Sequence, residues 1–185
     1  MPPGTVCYIL FTYGYHVQDF FTHILYENDN DWREMLLHHI AAIALYPGFV
    51  FGGLMGGGVL VAWLHDTADI VVNLCRICNG LNLKIPTSFF YFLMVASWFY
   101  TRLFLLPYFI YLGFTSLKFP EPVAHFQPLV YLEITFLMVM QLLHIFWFGL
   151  FLKMGYRLVM KGEQKDLVQT VESDGTESPE AKKTH

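Results

Sequence analysis

Apolar residues run through this chain in five long blocks, separated by short polar or glycine-rich breaks. The blocks cover roughly residues 5–26, 35–51, 56–78, 87–113 and 127–152. Each lies near the ~20 residues that cross a bilayer, the second being the shortest. The first carries His16, Gln18, Asp19 and His23. It makes a poor isolated span and is expected inside a bundle. It has no basic lead-in and no small-residue cleavage site, so it is not read as a signal peptide. The break at 52–58 reads GGLMGGG. Such a run is too flexible for a helix interior in water, but between two membrane helices it permits a tight turn or close backbone approach. Pro107 interrupts the fourth block, which a membrane helix tolerates when neighbours satisfy the freed carbonyl. The pattern predicts an all-α polytopic membrane protein with about five transmembrane helices. Residues 1–160 form its membrane domain, and the polar, mixed-charge stretch 161–185 is expected to be a disordered tail.

Composition agrees. Of 185 residues, 55% are hydrophobic and only 14% are charged, against about 25% charged in a soluble domain. The net charge of −4 and the lack of a basic run argue against nucleic acid as a partner. Cys75 and Cys78 form a lone C-x-x-C. It has no second pair to complete a zinc site and no thioredoxin-like context, so both are read as small apolar helix residues.

Basic residues set the orientation. Lys153, Arg157, Lys161 and Lys165 follow the last span, which puts that end in the cytosol. Alternation then brings Arg33, Arg76 and Lys84 to the cytosolic side and leaves Lys118 in a lumenal loop.

Against this background the polar residues inside the spans stand out. His38 and His39 open the second block; His65, Asp66 and Asp69 lie midway along the third. Each unpaired charge at mid-bilayer costs on the order of 3 kcal/mol. Asp66 and Asp69 are i, i+3 and share one side of a helix. Helices joined by a short turn are neighbours, so imidazoles and carboxylates are expected to meet in one pocket. A neutral imidazole is a general base or nucleophile near neutral pH, and a carboxylate on its other nitrogen orients it. That is what deprotonating an amine or hydroxyl for attack on an activated acyl group requires. An interhelical polar clamp and a metal site are the competing readings, although the H-E-x-x-H pattern and multiple HxxHH boxes are absent. Glu133, Gln141 and His144, in the fifth block, are expected to line the same cavity.

These residues resemble the TLC-domain family, and within it the longevity-assurance group of ceramide synthases. That group's signature matches His38, His39, Leu45, Gly58, Leu60, Val61, His65, Asp66 and Asp69 in spacing. The segments DWREMLLHH (31–39), YTRLFLLPYFI (100–110) and QLLHIFWFGLFLKM (141–154) are similar to flanking family segments, so the resemblance covers most of residues 8–158. Where the family usually carries Thr, Ser-Tyr, Asn and Arg, this chain has Ala42, Phe49-Val50, Gly53 and Gly56. Family members usually have one or more spans before the block that opens here, which fits either an N-terminally truncated sequence or a short protein.

The resemblance implies a TLC-type helical bundle or barrel in the endoplasmic reticulum membrane, multi-pass, with a cytosolic C-terminus. It implies sphingosine N-acyltransferase activity, in which a fatty acyl group passes from acyl-CoA to the amine of a sphingoid base. His38 and His39 would be the base or a transient acyl carrier, and Asp66 and Asp69 would orient and charge-stabilise them. His65 is expected at the substrate, with Arg76, Lys84 and Arg102 as candidates for the CoA phosphates. No metal or bound cofactor is implied, since acyl-CoA is a substrate. Membrane lipids are the expected surroundings, and a homo- or hetero-dimer is compatible with the family. A non-catalytic TLC-domain protein that binds, senses or traffics lipids is the alternative. An intramembrane metal-dependent lipid hydrolase is a third reading.

Overall fold

The computed structural model describes residues 3–26, 30–51, 55–116 and 127–161. The stretch expected to be a disordered tail lies, after its first residue, outside them, as do Gly53, Lys118 and Lys165. The described residues are helical, with no strand among them. In chain order the helices are α1 (Pro3–Tyr26), α2 (Trp32–Phe51), α3 (Met55–Gly80), α4 (Lys84–Trp98), a π-helical segment (Phe99–Leu105), α5 (Leu106–Ser116) and α6 (Gln127–Lys161). The α4–π–α5 run corresponds to a single apolar block, so the five blocks become five helical rods. Four stretches are long and apolar enough to cross a membrane: Trp32–Phe51, Met55–Gly80, Lys84–Thr115 and Pro128–Met160. The polar residues of α1 keep it out of that set.

The helices overrun the apolar blocks. The second begins at Trp32, where the Met35 amide donates to the Asp31 carbonyl (2.9 Å). The sixth continues through Lys153 and Arg157 to Lys161. Between α3 and α4 the chain reverses at Asn82, in left-handed conformation (φ 55°), which Asn tolerates better than most residues. The π segment answers Pro107. Proline cannot donate to the carbonyl four residues back, and the Leu106 amide bonds instead to Thr101 O, five residues back. The wider turn carries Thr101 and Arg102, both buried.

Each rod buries one stripe. On α6 the buried positions Val130, Glu133, Leu137, the pairs Met140–Gln141 and Leu143–His144, and Trp147 follow one another at three to four residues. Small residues let α2 and α3 approach closely: a Cβ on Gly58 would sit 2.6 Å from the Phe49 ring. Outward faces stay apolar, with Phe11, Phe51, Ile85, Leu142 and Val159 exposed, as a lipid-facing surface requires. Trp147 Nε1 donates to Asp31 Oδ2 (2.7 Å), and the Tyr91 hydroxyl to Phe151 O (2.6 Å). These bonds tie the start of α2 and the middle of α4 to the second half of α6, and gather Arg33, Arg76, Lys84, Lys153 and Arg157 toward one end.

Candidate functional site

The adjacent histidines of α2 are about 100° apart around the helix and serve different neighbours. His38 turns inward, with ring centroids 6.4 Å from His65, 6.3 Å from His144 and 5.4 Å from Trp147. His39, buried, faces α1: its Nε2 lies 3.8 Å from Asp19 Oδ2, and its ring is 5.2 Å from that of His23. His65 and His144 are closer still, at 5.0 Å. Imidazoles from α2, α3 and α6 thus form one buried cluster.

Hydrogen bonds settle two tautomers in the neutral rings. His65 Nδ1 lies 2.7 Å from Val61 O, an acceptor only. The proton is on Nδ1, and Nε2 keeps a lone pair. Arg102 Nη1 lies 2.9 Å from His144 Nε2. Guanidinium only donates, so His144 accepts there and carries its proton on Nδ1. Among the described residues neither His65 Nε2 nor His144 Nδ1 has a hydrogen-bond partner, which leaves an acceptor and a donor in neighbouring rings of the cluster.

Arg102 knits the site together. It is 1% exposed. Its Nη2 donates to Asp69 Oδ1 (2.6 Å) and to His65 O (3.1 Å), and its Cζ lies 4.6 Å from the centroid of the Trp98 ring. The resemblance made this arginine a candidate for the CoA phosphates; it stands inside the bundle with Asp69 as counter-ion. Asp66, expected beside the histidines, accepts a hydrogen bond from the Tyr8 hydroxyl at 2.5 Å, anchoring α1 to α3.

A cavity of about 180 Å³ opens onto this chemistry, lined by Tyr15, His16, Asp19, His38, His39, Asp69, Arg76 and Arg102 with Trp98, Trp147 and Phe151. Arg76 is exposed at its edge. Lys84 is exposed at the start of α4 and does not line it. The three cysteines are thiols, with Cys75 buried in α3, as a small apolar helix residue would be. Among the described residues no three His, Cys, Asp or Glu side chains are grouped to hold a metal ion.

Sequence reasoning missed Asp19 as a partner of the histidine pair. Its signal was there: His16, Asp19 and His23 recur at helical spacing, so α1 has a polar face that must meet something. His144 was expected at the cavity; it belongs to the cluster core at 0% exposure. Gln141 is buried on the same helix. Glu133 differs from the expectation: it lines a separate apolar cavity, because eleven positions of α6 put it about 16 Å from His144. Of the departures from the family pattern, Ala42 and Phe49 are buried, whereas Val50 and Gly56 are exposed.

Rods with apolar outer faces around a buried polar cluster define a polytopic helical membrane protein. Residues 1–153 match the TLC domain model, and the chain belongs to the TLC-domain family. It is 32% identical over 155 residues to ceramide synthase 4 of Homo sapiens, covering 82% of this chain and 38% of that protein. It is 29% identical over 161 residues to ceramide synthase LAG1 of Saccharomyces cerevisiae, covering 81% and 38%. With ASC1-like protein 3 of Oryza sativa subsp. japonica it shares 26% identity over 147 residues, covering 74% and 50%. The chain thus spans about 38–50% of the length of these curated relatives. No solved structure matches it.

Proposed function

We propose that this chain carries the reaction centre of a sphingosine N-acyltransferase of the ceramide synthase type, acting on a sphingoid base and a fatty acyl-CoA. The observation that carries the reading is the convergence of His38, His65 and His144, with the Arg102–Asp69 pair, beside the cavity that His38 and His39 line. The names of the relatives support it. In this reaction the amine nitrogen attacks the thioester carbonyl carbon, the C–S bond breaks, and the amine proton leaves with the CoA thiol. His38 takes the amine proton, and the Asp19–His39 contact offsets the charge that develops on the pair. His144 Nδ1–H donates toward the carbonyl oxygen as it gains charge. Arg76, exposed at the cavity edge, meets the CoA phosphates, while Arg102 holds the cluster in place. The protein sits in the endoplasmic reticulum membrane with the basic end, and hence its C-terminus, in the cytosol.

A non-catalytic lipid-binding role is the second reading, favoured by the engagement of Asp66 with Tyr8 rather than with the cluster. The test is an acyltransferase assay in membranes lacking endogenous ceramide synthesis. A labelled sphingoid base and a panel of acyl-CoAs are supplied, with His38→Ala and His39→Ala as controls. Ceramide lost in both variants supports the enzyme. No product from a correctly inserted, well-expressed chain, alone or extended to the full length of its relatives, favours lipid binding.

A further inference from the structure

Three cavities share lining residues along the bundle. His16 and His38 line both the histidine pocket and a space of about 30 Å³ that also touches His65. Phe49 and Val61 line both that space and an apolar cavity of about 370 Å³, within the ~300–1,000 Å³ of ligand sites. The apolar cavity lies between α2, α3, α5 and α6, and Glu133 alone among its lining residues is polar. Glu133 is 2% exposed, and its buried Oε2 has no hydrogen-bond partner. The α2 backbone makes room for it: a Cβ on Gly48 would overlap the carboxyl group. An isolated buried carboxyl is costly unless something hydrogen-bonds it, and among the described residues none bonds this Oε2.

We propose that Glu133 accepts a hydrogen bond from a hydroxyl at or near the far end of a long acyl chain whose carbonyl end lies at the histidine cluster. This rests on the acyl-transfer reading above. The length is consistent. Glu133 lies about 16 Å from His144 along α6, and an extended single-bonded chain advances ~1.2 Å per bond. A chain of about 14–16 carbons reaches from one to the other. The donor is a neutral hydroxyl rather than an ammonium, because bringing a charge through an apolar cavity carries a much larger desolvation cost. Phe49, held over Gly58, stands where the small space meets the large cavity and sets how far a chain extends.

The test uses the full chain in phosphatidylcholine nanodiscs and measures binding of radiolabelled hexadecanoate and 16-hydroxyhexadecanoate, with empty discs subtracted. The wild type is expected to prefer the hydroxylated chain by about tenfold, the usual scale of one net hydrogen bond. Glu133→Leu is expected to abolish the preference while binding hexadecanoate more tightly, which also reports an intact fold. Gly48→Ala, which displaces the carboxyl without removing it, is expected to lower the preference. Equal preference in wild type and Glu133→Leu overturns the assignment. Acyl transfer to a sphingoid base from the CoA thioesters of both chains, measured on the same preparations, separates this from the reaction itself. Transfer without hydroxyl preference overturns the Glu133 assignment alone. Preference without transfer overturns the acyltransferase reading and leaves a hydroxylated-lipid site at Glu133.

Discussion

Arg102 and Asp69, 33 residues apart, meet at 2.6 Å with very different exposure: the guanidinium side chain is 2% exposed and the carboxylate 51%. The asymmetry gives the first prediction. Asp69→Asn strands a buried cation, which costs about 3–5 kcal/mol. Arg102→Met leaves a carboxylate that water in the cavity reaches, and costs less. Thermal unfolding of the two variants in detergent is expected to rank Asp69→Asn as the less stable. The reverse order would mean that the carboxylate, not the guanidinium, depends on the pair.

Tyr8 and Asp66 share one hydrogen bond across α1 and α3. Tyr8→Phe and Asp66→Ala are each expected to lower stability by about 1–3 kcal/mol. The double variant should be no worse than the weaker single. A double-mutant cycle on unfolding checks this, and additive losses would show that Asp66 has a second role.

His144 both accepts from Arg102 and presents its Nδ1–H. His144→Gln keeps an acceptor for the guanidinium and is expected to fold near wild-type stability. His144→Leu leaves Arg102 Nη1 unpartnered and should lose about 1–3 kcal/mol. Acyl transfer is expected to fall by about 10²-fold in His144→Leu, the scale of one oxyanion donor, and by less in His144→Gln, whose amide N–H can still donate. Activity retained in His144→Leu would make His144 a positioning residue only.

Gly155 packs under the Tyr91 hydroxyl, which bonds to Phe151 O; a Cβ at 155 would overlap that hydroxyl. Gly155→Ala is expected to destabilise by about 1–3 kcal/mol, and Tyr91→Phe in the same chain to recover part of it. Unfolding midpoints of the single and double variants test the contact.

The sequence by itself determined the rods, because hydrophobic runs of bilayer length report directly on what the chain can bury in lipid. It also singled out His38, His39, His65, Asp66 and Asp69, because polar groups in such runs are costly enough to stand out. Which of them meet was not legible, since that depends on helix rotation. A turn of 100° per residue sends His38 to the cluster and His39 to Asp19. Only tertiary structure decided that Arg102 answers Asp69, because the π turn before Pro107 fixes where that side chain enters the bundle. Only tertiary structure separated Glu133 from His144, two residues of one buried stripe, because the neighbouring helices surround the first with an apolar cavity and the second with the histidine cluster.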